Sequence, residues 1–71
     1  MKIKNEKKRR SWLTGWNAYF AGLSHTKMSQ TVVLFPSLDD GATLRGWWMA
    51  ATIDFENDGN KGSFNRFCPY I

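Results

Sequence analysis

Cysteine and histidine each occur once in this 71-residue chain, as Cys68 and His25. One cysteine excludes a disulfide within the chain, and the two residues sit at unrelated places with no spacing of the kind that ligates a metal, so neither metal nor cofactor is expected. No apolar run approaches the roughly 18 residues that cross a bilayer, which argues against membrane attachment. The basic start resembles the opening of a signal peptide, but Thr14, Gly15 and Asn17 interrupt the apolar stretch behind it. With an unpaired cysteine, this points to the cytoplasm. Catalytic signatures are missing as well. There is no phosphate-cradling glycine loop and no nucleophile elbow, and the carboxylate pairs Asp39–Asp40 and Asp54–Glu56 fit a helix start and a helix exit. The expectation is a protein that is not an enzyme and takes no small-molecule substrate.

What the chain has instead is aromatic bulk. Trp12, Trp16, Trp47 and Trp48 accompany five phenylalanines, and each aromatic side chain buries roughly 150–250 Å². A chain of this length hides only about 60% of its unfolded surface. It has room for one small aromatic core, not for a core and a catalytic cleft.

Charge is segregated along the sequence. Lys2, Lys4, Lys7, Lys8, Arg9 and Arg10 crowd the first ten residues against Glu6, while Asp39, Asp40, Asp54, Glu56 and Asp58 lie in the second half. Residues 1–10 therefore read as a basic arm suited to polyphosphate, with Lys4, Lys7, Lys8, Arg9 and Arg10 as candidate nucleic-acid contacts and Lys27 and Arg45 as additions. The plainer alternative is a solvated terminus that aids solubility.

Residues 11–56 read as a mainly α domain of two helices joined by an extended connector, and residues 57–71 as an irregular tail. At about 100° per residue, Trp12, Trp16, Tyr19 and Leu23 share one stripe, widened by Leu13 and Phe20. Ser11 is one candidate cap for this helix; the other reading starts it within the basic run. Gly15 and Gly22 flank the stripe, and each costs a helix about 1 kcal/mol against alanine. That cost suggests a close approach of another backbone, with Gly46 as its counterpart in "LRGWWMAA" and Trp16 and Trp47 holding the pair together. "SHTKMSQTVVLFP" breaks the pattern: Thr31–Phe35 is β-prone and too isolated for a sheet, hence the extended connector. Ser37, three residues before Asp40, resembles a cap for a second helix beginning near Leu38.

The second helix, to about Phe55, is apolar on two sides. Leu44, Trp48, Ala51 and Phe55 form one stripe beside Trp47; Ala42, Gly46, Met49, Ala50 and Ile53 form the other. One covers the first helix. The other must meet the connector, the tail, a second copy of the chain or a target surface. Trp48, Met49 and Phe55 are the candidate centre of a protein interface. "NDGNKGSFN" is turn material, and "RFCPYI" can dock on the helices.

"GWNAYFAGLSHTKM" followed by "LRGWWMAA" is similar to the ribosome modulation factor family of small bacterial stationary-phase proteins. Gly15, Trp16, Ala18, Ala21, Gly22 and Ser24 fall on that family's first-helix pattern, and Leu44, Gly46 and Trp47 on its second. The resemblance implies a cytoplasmic helix–loop–helix protein that contacts ribosomal RNA of the small subunit and silences translation. The sequence departs from the family in a longer connector, an acidic second half, and Cys68-Pro69-Tyr70 at the far end instead of just after the first helix. These departures bear on ribosome pairing more than on ribosome contact. A relative serving a phage or mobile element fits the same residues. So does a different class of protein, a small inhibitor or adaptor that binds a host protein.

Overall fold

The computed structural model describes residues 2–56 and 64–71, so the expectation for residues 57–63, the turn-rich start of the tail, lies outside the described residues. The chain is mainly helical, as expected, but among the described residues there are three principal helices rather than two. These are α1 (Glu6–Phe20), α2 (His25–Leu34) and α3 (Asp40–Glu56); a one-turn α4 (Phe64–Phe67) follows.

Helix α1 starts inside the basic run. Asn5 caps it, its side-chain oxygen accepting the Lys8 backbone N–H at 3.0 Å. It ends where Gly22 takes a left-handed φ of 93°, which lets the Leu23 N–H reach back to the Ala18 carbonyl and the Gly22 N–H to that of Tyr19. Gly22 is therefore a helix stop. The expectation that it joins a small-residue packing flank is corrected: a Cβ there would meet nothing within 4 Å, and the glycine is needed for its φ.

The supposed extended connector is α2. Ser24 caps it by accepting the Lys27 N–H at 3.2 Å, and Met28 and Val32, one helical turn apart, are buried. Helix α2 packs on α3. The reason for a helix here lies in α1 and α3, which run parallel: Ser11 meets Asp39, Gly15 meets Thr43 and Tyr19 meets Trp47. Parallel neighbours need a return leg, and a helix covers that distance with its own backbone groups satisfied. Packing thus overrides the β preference of Thr31, Val32 and Val33. Pro36 disfavours helical backbone at Phe35, where α2 stops.

Asp39, not Ser37, caps α3, with its carboxylate accepting the Ala42 N–H at 2.9 Å. Ser11 is not a cap either. Buried in α1, it donates to the Lys7 carbonyl and accepts the Asp39 N–H, both at 2.8 Å, tying the two helix starts together. Ser11→Ala leaves that N–H without its partner and should cost about 1–3 kcal/mol in urea unfolding.

Between α1 and α3 the contact is backbone on backbone. A Cβ on Gly15 would fall on the Thr43 carbonyl and 2.9 Å from the Trp47 nitrogen; one on Gly46 would fall on the Trp12 carbonyl. Around this crossing lies the core: Trp12 stacks on Trp16 at 5.3 Å, Phe67 also stacks on Trp16 at 6.0 Å, and Ala42, Ala50 and Ile53 fill in. The Trp16 indole N–H is buried without an acceptor among the described residues, which marks packing rather than polarity as what holds that ring. The end of the tail is ordered by pairing. Ile3 forms a parallel bridge with Tyr70, its N–H donating to the Pro69 carbonyl and its carbonyl accepting from Ile71. Cys68 and Tyr70 are buried.

Candidate nucleic-acid interface

The basic stretch is held at both ends. Residues 2–5 lie along the tail through Ile3, and residues 6–10 form the first turns of α1. Its cations are thereby fixed on a scaffold instead of trailing from it. Lys4, Lys7 and Arg10 are exposed, and Lys8 and Arg9 half-buried. Arg10 pairs with Glu6 one turn away at 3.2 Å, both side chains open to solvent, a contact worth little. Lys4, Lys7 and Lys8 have no carboxylate within 4 Å among the described residues. Lys7 and Arg10 flank an open cleft of about 290 Å³ between α1 and the α2–α3 turn, with Ser37 and Leu38 opposite.

Two features set the field at this end. Because α1 and α3 are parallel, both helix N-termini, each carrying roughly half a positive charge, lie together. The same geometry brings Asp39 and Asp40 beside the basic cluster, so the charge separation read along the chain is partly cancelled in space. Six cations (Lys2, Lys4, Lys7, Lys8, Arg9, Arg10) face three carboxylates there (Glu6, Asp39, Asp40), and Asp39 is engaged as a cap. The balance remains positive. Lysines in the first turn of a helix oppose its dipole, so Lys7 and Lys8 are placed at a small cost to stability.

The other two candidate cations are elsewhere. Lys27 is exposed in the first turn of α2. That turn sits where His25 packs edge-on against Trp47, the level of the α1 C-terminus, about 20 Å from the cluster. Arg45 is exposed on the outer side of α3.

Trp16 is fully buried in the core. Trp47 acts as a clamp: its indole N–H donates to the Leu23 carbonyl at 2.8 Å, and its ring meets Tyr19 and His25 edge-on. One tertiary contact was not read from the sequence. The Tyr19 hydroxyl donates to Asp54 Oδ2 at 2.7 Å across α1 and α3. Hydrogen bonding to that carboxylate, then desolvation, then its negative charge, raise the phenol above its ordinary value of 10.0. The native state thus favours the neutral phenol. The bond contributes fully below the unfolded value of 10.0 and is lost as pH rises through the higher folded value. Alkaline titration should therefore destabilise the natural chain more than Tyr19→Phe, and Asp54→Asn should bring the phenolate absorbance change to lower pH.

No family model matches the chain, and neither a curated protein nor a solved structure matches it. Among the described residues no group of three or more His, Cys, Asp or Glu side chains is placed to hold a metal ion, and no helix is long and apolar enough to cross a membrane.

On α3 the two apolar sides meet different fates. Ala42, Gly46, Ala50 and Ile53 are buried, chiefly by α1, and Met49 is half-buried against the same core. Trp48 and Phe55 stay 64% and 90% exposed. Neither α2 nor the described end of the tail covers them.

Proposed function

We propose that this protein binds ribosomal RNA of the small subunit through the α1 N-terminal end and thereby restrains translation in the cytoplasm. The observation that carries the reading is the fixed cluster around Lys7 and Arg10 at the end where two parallel helices begin. Lys4, Lys8 and Arg9 extend the cluster along a surface on which RNA phosphates can lie. Lys27 and Arg45 lie outside its footprint and are secondary contacts at most. The likeness of the two glycine–tryptophan helices to the ribosome modulation factor family supplies the choice of ribosomal RNA over other polyanions. Cosedimentation with ribosomes at low and moderate salt tests the proposal. Protein left at the top of the gradient at low salt overturns it.

A second reading is favoured by the bare side of α3. Trp48 and Phe55, with Met49 at their edge, form an interface for a protein, the chain then acting as an inhibitor or adaptor. Charge reversal across residues 7–10 separates the readings, because it abolishes RNA binding and leaves contact through α3 intact.

A further inference from the structure

We propose that the exposed side of α3 pairs with the same side of a second copy of this chain, the two helices lying antiparallel across a two-fold axis. The inference gives the protein-binding reading a definite partner and is independent of ribosome contact, which uses the other end of α1.

The argument begins with what α3 leaves uncovered. It lies between α1 and α2, in a molecule measuring 33 × 30 × 13 Å. Trp48 and Phe55, at 64% and 90% exposure, show that no described element lies over this side of α3. Leu44, Arg45, Trp48, Thr52, Phe55 and Glu56 follow one another along it at helical spacing, and the first four line one shallow apolar groove of about 620 Å³. A second hollow continues past Trp48 and Thr52 to Phe55 and Glu56.

The order of these residues is self-complementary. Arg45 stands near one end and Glu56 at the other, about 16 Å apart along the axis, and neither is ion-paired among the described residues. An antiparallel partner centred between Trp48 and Thr52 sets large against small, Trp48 over the second copy's Thr52. It also brings each Arg45 to the second copy's Phe55 and Glu56, where a guanidinium finds both a ring face and a carboxylate. A parallel pair would instead place Arg45 beside Arg45. A nucleic acid is a poorer occupant, since the stripe offers one cation and closes with an anion.

Area sets the strength. From Leu44 to Glu56 the stripe runs about 18 Å along α3 and hides on the order of 400 Å² per copy, below the roughly 800 Å² per partner of a standard interface. Association is therefore weak, with a dissociation constant in the range of about 1–100 μM.

Sedimentation equilibrium of the full chain from about 5 to 500 μM tests this. The expected result is a rise from 8.2 kDa toward twice that mass. Phe55→Glu should weaken association by about tenfold or more. Arg45→Glu and Glu56→Arg should each weaken it by roughly five- to twentyfold, since the two-fold axis makes each pair count twice. The double variant should recover the natural affinity. All these side chains are exposed, so circular dichroism and melting of each variant should match the natural chain and certify its fold. A chain that stays monomeric throughout overturns the proposal, as does association indifferent to Phe55→Glu or a double swap that fails to rescue. A monomer whose RNA retention falls with Trp48→Ala would assign the surface to a nucleotide instead.

Discussion

Gly46→Ala is expected to lower the melting temperature by about 10–30 °C, a large effect for a single methyl group. The added Cβ would overlap the Trp12 carbonyl and lie 2.8 Å from its carbon. These are backbone atoms in the middle of α1, so no rotamer change relieves the collision. Relief requires α1 and α3 to separate, which loosens the Trp12–Trp16 stack and the contacts of Ala50 behind it. Such overpacking costs about 3–5 kcal/mol, offset by about 1 kcal/mol of better helix propensity. For a chain whose whole stability is roughly 4–10 kcal/mol, the remainder is a large fraction. Gly15→Ala should act similarly, and the double variant should cost less than the two effects added, because both open one interface. Gly41→Ala is the control: its Cβ would meet only Asp39 Oδ1, at 3.7 Å, and the variant should melt no lower than the natural chain. A Gly46→Ala melt within a few degrees of the natural one would sink the close-packed account of this fold.

The parts of the structure legible in the sequence are those where one residue type had a single use. Glycine facing tryptophan in two helices announced a backbone contact, and Gly15 and Gly46 make it. Gly22 looked the same in sequence yet serves a left-handed turn, because spacing alone does not separate a packing glycine from a stopping one. Helix α2 was missed for a physical reason. Its buried residues, Met28 and Val32, form a one-turn pair too short to announce a period, while the adjoining Val33, Leu34 and Phe35 are exposed and gave the run a β-like look. The signal that would have found it was Ser24, a cap followed at once by a helical start. Parallel packing of α1 and α3 was beyond any local pattern, and from it follow both the return helix and the meeting of Asp39 and Asp40 with the basic cluster.

That parallel arrangement also explains why short apolar stripes suffice. Backbone contact at the glycines brings α1 and α3 close enough for Ser11 to reach Asp39 and for Tyr19 to reach Asp54. One crossing is therefore pinned by a hydrogen bond toward each end. The same closeness leaves no space for Trp48 and Phe55 on the inner side. The bulk that a larger protein would bury is turned outward here, which is what a surface for a partner requires.

Reversing charge at Lys4, Lys7 and Arg10 together should abolish ribosome cosedimentation while leaving the fold intact. Each side chain is exposed, and at position 10 the reversal replaces the solvent-open pair with Glu6 by a like-charge contact one turn away, worth about 0.2–0.5 kcal/mol. An acidic residue in place of Lys7 suits the first turn of α1 and offsets that cost. The effect on binding is governed by counterion release. If four or so phosphates are contacted, the logarithm of affinity falls with that of salt at a slope of about −3, so the natural chain should bind roughly fifty- to a hundredfold more weakly at 200 mM than at 50 mM salt. Removing three cations and adding three anions takes away most of that slope along with the affinity. Lys27→Glu, about 20 Å away, should change the slope by no more than about one contact's share. The decisive comparison is therefore of slopes as well as of bound fractions. A triple variant that cosediments with an unchanged salt dependence would show that the ribosome is held by some surface other than this cluster.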